Sequence, residues 1–132
     1  SFYNDSKATN LDALVRAVRA FPARTIHLIL GGKDKGADWG SIEGLLRERV
    51  KRVLLVGEAA TVIRAALGRS PVEDCRTIDA AVRTGYEGAA PGDVVLLAPG
   101  CASFDQYRNF EERGDDFRDR VLDLLRARGR DA

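Results

Sequence analysis

Short apolar runs alternate along the chain with segments in which apolar residues recur at helical spacing. The clearest runs predict strands at 25–30, 53–56 and 94–98, each apolar almost throughout. Weaker strands are predicted at 2–4 and 75–77. Runs of this length and composition indicate a sheet that is covered on both faces.

The segments between and after these runs predict helices. They are expected at about 11–21, 41–49, 58–68, 79–89 and 110–128. Asn10 is a good N-cap for the first helix, and the last helix has acidic residues early and arginines late, which suits the helix dipole. Strands and helices in this alternation predict a Rossmann-like, three-layer α/β domain with a mainly parallel sheet flanked by helices.

The composition agrees with one globular domain. The chain has 132 residues, of which 45% are apolar and 31% charged, which excludes a disordered or fibrous protein. The formal net charge of +1 disfavours nucleic-acid binding and polybasic membrane binding. Since no apolar run approaches the roughly 18 residues of a membrane span and no signal peptide opens the chain, we expect a cytoplasmic protein. We also expect a monomer.

The chain contains no methionine and opens at Ser1, directly before the apolar pair Phe2 and Tyr3. This start suggests a piece of a longer protein, although removal of an initiator before serine would also explain it. The cysteines, Cys75 and Cys101, lack the spacing of a disulfide framework or a zinc site. We therefore expect both thiols to be reduced.

Polar residues are concentrated in three segments that follow predicted strands: loop one (4–10), loop two (31–38) and loop three (99–106). Ligands of open α/β sheets bind beyond the carboxyl ends of the strands. Three of the four lysines, Lys7 and two in loop two, lie in these loops, whereas the other seventeen basic residues are arginines. A compact ammonium group can approach a single carboxylate or phosphate oxygen, so the loops indicate an anion site. The alternative is that lysines simply favour exposed loops.

Other polar residues have simpler interpretations. Loop two contains neither a Walker A motif nor the G-x-G-x-x-G fingerprint. His27, in the middle of a strand, is interpreted as structural, although a Cys101–His27 nucleophile and base is the alternative. Trp39 is expected to pack under loop two. Nothing in the spacing of the loop aspartates indicates a metal, and no catalytic residue or metal ligand is predicted.

Three segments together resemble the C-terminal domain of the bacterial Mur ligases, and most of all their D-glutamate-adding branch. They are Asn-Asp-Ser-Lys-Ala-Thr-Asn at 4–10, Gly-Gly-Lys-Asp-Lys-Gly at 31–36 and the long segment at 102–114. The resemblance covers essentially the whole chain. The departures are mild: Gly100 stands where the family often has alanine, and Trp39 and Tyr107 replace frequent phenylalanines.

The resemblance implies that residues 1–132 are the last of three domains, after an N-terminal domain for the UDP-sugar and a central ATPase domain. In this family ATP phosphorylates the carboxylate of UDP-N-acetylmuramoyl-L-alanine, and the amine of D-glutamate attacks the acyl phosphate. The domain would supply most of the D-glutamate site and close over ATP. ATP and Mg²⁺ would be held mainly by the central domain, so this chain alone is expected to be inactive.

The resemblance also implies roles for single residues of the D-glutamate site. Lys35 and Thr9 would hold the α-carboxylate of D-glutamate. Ser103 and the backbone N–H of Phe110 would hold its side-chain carboxylate. All four would orient the substrate and none would act as a general base.

Toward ATP, the resemblance implies that Asp5 contacts the ribose and Lys7 the phosphates. Two alternatives to this function stay open. One is a free-standing, non-catalytic α/β module that binds a nucleotide or an amino acid through the same loops. The other is a Mur-type or folate-type amide ligase for a different amino acid, against which the segment 103–114 argues.

Overall fold

The computed structural model describes residues 1–68, 70–103 and 105–131, which form a parallel sheet between two layers of helices. The strands are β1 (Phe2–Asn4), β2 (Ile26–Gly31), β3 (Val50–Val56), β4 (Val72–Arg76) and β5 (Val94–Leu97). The helices are α1 (Leu11–Arg19), α2 (Glu43–Arg49), α3 (Ala60–Ala66), α4 (Ile78–Gly88) and α5 (Phe110–Asp131), and a 3₁₀ helix (Trp39–Ile42) precedes α2. None of these helices is long and apolar enough to cross a membrane.

The strand order is β1-β5-β2-β3-β4, and every neighbouring pair is parallel. Both β2 and β5 are buried along their whole length, which explains their apolar sequences. The predicted Rossmann-like α/β class is confirmed.

The two faces of the sheet support separate cores. Leu28 and Leu30 of β2 pack with α1, α2 and α3, where Leu14 of α1 is completely buried. Ile29, between them, points to the opposite face and packs with α4 and α5, where Phe117 is buried. This alternation is the period of two that a strand imposes on its side chains.

The starts of two strands differ from the prediction by three residues. β4 begins at Val72 instead of residue 75, and β3 begins at Val50 instead of residue 53. β4 is an edge strand with exposed Glu73 and Asp74, and in β3 the buried Val50 is followed by the exposed Lys51. These strand segments carry no apolar run, because little of their surface is covered by a neighbouring layer.

At the amino ends of the strands, Asp93 binds three donors through one carboxylate oxygen. Its Oδ2 accepts hydrogen bonds from Lys51 Nζ at 2.8 Å and from the Ala90 N–H at 2.9 Å, and His27 Nε2 lies 2.9 Å away. Hydrogen bonds from Lys51 and His27 hold the pKa of Asp93 well below its usual range. His27 is 2% exposed and has the structural role that its position in a strand suggested.

Candidate functional site

A crevice opens beyond the carboxyl ends of β2 and β5. β5 continues into α5 on one face of the sheet, whereas β2 continues into α2 on the other face. The two connections therefore diverge, which creates the usual ligand position of an open α/β sheet. At its base the Gly31 N–H donates to the Pro99 carbonyl at 3.0 Å, and the Lys33 N–H donates to the Ala102 carbonyl at 2.8 Å.

Thr9 and Lys35, expected to share one carboxylate, line the same cavity of about 180 Å³ in this crevice. Cys101 of loop three lines it as well, so all three loops contribute. The Lys35 side chain is exposed and Thr9 is half-buried. The cavity thus offers an ammonium group and a hydroxyl group within reach of a small ligand.

The turn that presents Lys35 is shaped by Asp34. Its Oδ1 accepts from the Ala37 N–H at 3.1 Å and from Trp39 Nε1 at 3.2 Å. Trp39 is 2% exposed and packs under the loop, as expected. Gly100 has a φ of +65°, and a Cβ there would lie 3.0 Å from the Trp39 ring, which explains glycine at this position.

Ser103 and Phe110 lie outside the cavity that Thr9 and Lys35 line. Ser103 is 2% exposed, and its hydroxyl has no hydrogen-bond partner among the described residues. Phe110 begins α5, where the first N–H groups have no acceptor within the helix. It shares a different cavity, of about 250 Å³, with Lys7. Phe104, between the two, lies outside the described residues.

Asp5 and Lys7 line a third cavity, of about 540 Å³, together with Arg16 of α1. Lys7 therefore borders both this cavity and the one at the start of α5. The Asp5 N–H donates to the Leu97 carbonyl at 2.8 Å, which fixes loop one to the end of β5. Sequence reasoning missed Arg16, because an arginine on an exposed helix face gives no distinguishing signal.

Two polar residues of loop three have structural roles. Asp105 Oδ2 accepts from the Glu58 N–H at 3.0 Å, and Gln106 Nε2 donates to the Arg76 carbonyl at 3.2 Å. Loop three is thereby fixed across the ends of β3 and β4. Within the described ranges, no group of three His, Cys, Asp or Glu residues could hold a metal ion.

The alternative of a Cys101–His27 nucleophile and base is wrong. Cys101 lies at the carboxyl end of the sheet, whereas His27 pairs with Asp93 at the amino end. Burial raises the pKa of the Cys101 thiol to about 12, and the residue is 2% exposed. The thiol is a small apolar group of the core.

This burial predicts slow chemical modification of Cys101. In a Cys75→Ser variant at pH 8, a thiol reagent such as Ellman's reagent should leave the native chain unmodified over minutes. The same chain unfolded in guanidinium chloride is the control and should react at once, with one thiol per chain. Rapid reaction of the native variant would contradict the buried, protonated thiol.

Residues 1–101 match the family model described as "Mur ligase, glutamate ligase domain". The chain belongs to this family. The Mur ligase match includes Asp5, Lys7, Thr9 and Lys35, whereas Ser103 and Phe110 lie beyond it.

Curated relatives carry the name UDP-N-acetylmuramoylalanine–D-glutamate ligase. The protein of Acidobacterium capsulatum is 54% identical over 92% of this chain and 26% of its own length. Those of Solibacter usitatus and Desulfatibacillum aliphaticivorans are 50% and 47% identical over 93% and 96% of this chain, and 28% of their own length in both cases. The chain spans about a quarter of the length of these Mur ligases.

Proposed function

We propose that this chain is the C-terminal domain of an ATP-dependent ligase of peptidoglycan precursor synthesis. The parent enzyme would add D-glutamate to UDP-N-acetylmuramoyl-L-alanine in the cytoplasm, through an acyl phosphate. One observation carries the proposal: Lys35 and Thr9 line the same cavity. This cavity lies in a chain that matches the Mur ligase family model. The names of the relatives support the same substrate.

The other domains of the enzyme would lie in the rest of the parent protein. Residues 1–132 would form one domain of the parent enzyme. The N-terminal and central domains of the same enzyme would be the partners of this domain. The share of the relatives that the chain spans, about a quarter, supports this division. The parent is proposed to act as a monomer.

D-Glutamate carries two carboxylates and one amine, and the candidate residues suit such a ligand. Lys35 and Thr9 would each donate a charge-assisted hydrogen bond to the α-carboxylate, Lys35 from its ammonium group and Thr9 from its hydroxyl group. The Ser103 hydroxyl, buried without a partner among the described residues, would gain an acceptor in the side-chain carboxylate. The N–H of Phe110, in the first turn of α5, adds a donor at the positive end of this helix.

These groups would contribute to the reaction mainly by position. Holding both carboxylates directs the amine of D-glutamate toward the acyl phosphate, and such orientation accounts for a large part of the rate of a two-substrate step. The residues proposed to bind the substrate would remove no proton from the amine. We therefore assign no general base to this chain.

The nucleotide would contact this domain through loop one. Asp5 would accept a hydrogen bond from a ribose hydroxyl, and Lys7 would bind the phosphates as a point charge. The cavity that both residues line also contains the Arg16 side chain, which suits a polyanion. As the family resemblance implies, Mg²⁺ and most of the ATP contacts are assigned to the central domain.

The parent protein provides the direct test of this function. Encoded by the intact reading frame, it should convert UDP-N-acetylmuramoyl-L-alanine, ATP and D-glutamate into the D-glutamyl product, detected by mass spectrometry. L-Glutamate in place of D-glutamate is the control and should give little product. A reading frame that starts at Ser1, or a parent protein that forms no product, would contradict the proposal and favour a binding module.

The isolated chain should be inactive. With ATP, D-glutamate and the UDP substrate, we expect phosphate release at the level of buffer alone, because the central domain would supply the groups that activate ATP. The parent enzyme at the same concentration is the positive control. Substrate-dependent release by the isolated chain would contradict this division of roles.

A further inference from the structure

Arg113, in the first turn of α5, is a buried guanidinium group at the meeting point of the loops. The residue is 2% exposed. Its Nε donates to Ser6 Oγ at 3.0 Å, and its Nη2 donates to the Ser6 carbonyl at 2.8 Å. Among the described residues Nη1 has no hydrogen-bond partner, and no carboxylate forms a salt bridge with the group. Burial lowers the pKa of Arg113.

Ser6 connects Arg113 to the start of α5. The Ser6 hydroxyl accepts from Arg113 and donates its own proton to the Phe110 carbonyl at 2.6 Å. Asn4 Nδ2 donates to the Gly114 carbonyl at 2.9 Å, and a Cβ on Gly114 would lie 3.2 Å from Ser6 Cβ. Loop one thus lies directly on the first turn of α5. We call Ser6, Phe110 and Arg113 the clamp.

The clamp joins groups assigned to two different ligands. Asp5 and Lys7, the residues proposed for ATP, are the chain neighbours of Ser6. Phe110, whose carbonyl Ser6 binds, is the residue whose N–H is proposed for D-glutamate. Lys7 and Phe110 also border one cavity. A displacement of Ser6 would therefore move both binding groups together.

Arg113 also reaches loop two. A Cβ on Gly32 would lie 3.1 Å from Arg113 Nη1, so the guanidinium group packs against the strand end that leads to Lys35. Loop one, loop two and the start of α5 therefore share this one side chain. The planar guanidinium group of an arginine holds its donors at fixed angles, so it fixes the relative position of its partners better than the flexible ammonium group of a lysine would.

Stability alone does not account for this arginine. The charge of Asp105 acts on Arg113 without forming a salt bridge, and the effect of burial on the guanidinium group is larger. A well-packed apolar side chain would often be at least as stable there. The arrangement is instead suited to fixing the relative position of loop one, loop two and the start of α5. Position is what the proposed reaction requires of this domain.

We propose that Arg113 is a positioning residue that acts through Ser6. The clamp holds the nucleotide loop and the start of α5 in one arrangement, so that ATP and D-glutamate each strengthen the binding of the other. The clamp itself is a property of this chain, whereas the coupling between ligands rests on the proposed function. The experiment therefore has two separate arms.

The first arm measures the clamp in the chain itself by NMR. The Arg113 Nε–H should exchange slowly with water, and Ser6→Ala should accelerate this exchange about tenfold and shift the Phe110 and Glu111 amides. Ser41→Ala, which removes an exposed hydroxyl bonded to the Asp38 carbonyl, is the matched control and should leave these signals unchanged. Fast exchange in the unmodified chain, or no effect of Ser6→Ala, would overturn the clamp.

The second arm measures the coupling in the parent ligase. Ser6→Ala and Arg113→Lys should each raise the KM values for ATP and D-glutamate about tenfold, with kcat changed less than about threefold. A non-hydrolysable ATP analogue should tighten D-glutamate binding in the unmodified enzyme and no longer do so in the variants. Arg118→Lys, at an exposed arginine of the same helix, is the control and should resemble the unmodified enzyme.

The outcomes of the second arm separate positioning from simple support of the fold. A purely structural role would reduce the fraction of active enzyme, which lowers the apparent kcat and leaves both KM values unchanged. That result in Ser6→Ala would overturn the inference, even where Arg113→Lys fails to fold. An unmodified parent without ligase activity would instead overturn the proposed function and the coupling with it, and the NMR arm alone would then decide the clamp.

Discussion

Lys35→Ala in the proposed full-length ligase is expected to raise the KM for D-glutamate about 10- to 100-fold, because the charge-assisted hydrogen bond proposed between Lys35 and the α-carboxylate would be lost. The KM for ATP should change little, since ATP is assigned to loop one. Steady-state kinetics with D-glutamate varied at saturating ATP and UDP substrate measures the effect.

Lys33→Ala is the informative comparison for Lys35. Lys33 borders the same cavity, but the contact that holds it is its backbone N–H on the Ala102 carbonyl, which alanine keeps. We expect a much smaller rise in the D-glutamate KM for this variant. Equal KM values for Lys35→Ala and the unmodified enzyme would support the alternative that these lysines are only exposed loop residues.

Asp93→Ala should lower the free energy of unfolding of the chain by about 3 kcal/mol, because it leaves buried donors without their acceptor. The partners concerned are His27, the Ala90 N–H and Lys51, of which Lys51 contributes least because its side chain is 42% exposed. Urea unfolding followed by circular dichroism measures the loss. Asp12→Ala, at an exposed aspartate of α1, is the control and should change the free energy by less than about 0.5 kcal/mol.

The same carboxylate predicts how stability depends on pH. Because the pKa of Asp93 is lower in the folded chain than in the unfolded chain, its contribution is fully present above about pH 5 and is lost as the pH falls through and below about 4. Asp93→Asn should remove this part of the acid dependence. If the free energy of unfolding of Asp93→Asn decreased between pH 6 and pH 2 as much as that of the unmodified chain, the role of Asp93 in this pH dependence would be contradicted.

The strands that cross the middle of the sheet could be read from the sequence. β2 and β5 are buried on both faces, so an apolar residue is favoured at almost every position in these strands. The edge strand β4 carries exposed polar side chains, and in β3 the polar Lys51 and Arg52 follow Val50, so the starts of both strands were misplaced. The hydrophobic pattern of a sequence shows which residues are covered by neighbouring elements. It therefore predicts strand boundaries least well where a strand becomes exposed to solvent.

The candidate site was only partly predictable. The joint position of Thr9 and Lys35 followed from a general property of parallel sheets, whose loops meet at one edge. Arg113 and Ser6 could not be found in the same way. An arginine near the start of a charged helix is usually solvated, and nothing local distinguishes one that is 2% exposed.

The amino-acid sequence alone was enough for the α/β class and the family of the chain, and it also indicated the loops proposed to bind ligands. These depend on local patterns: apolar runs, helical spacing and short polar motifs that need few distant partners. The clamp of Ser6, Phe110 and Arg113 was decided by the tertiary structure, because it joins residues more than 100 positions apart. Such contacts depend on the spatial order of the strands in the sheet, which places β1 beside β5 and loop one against α5.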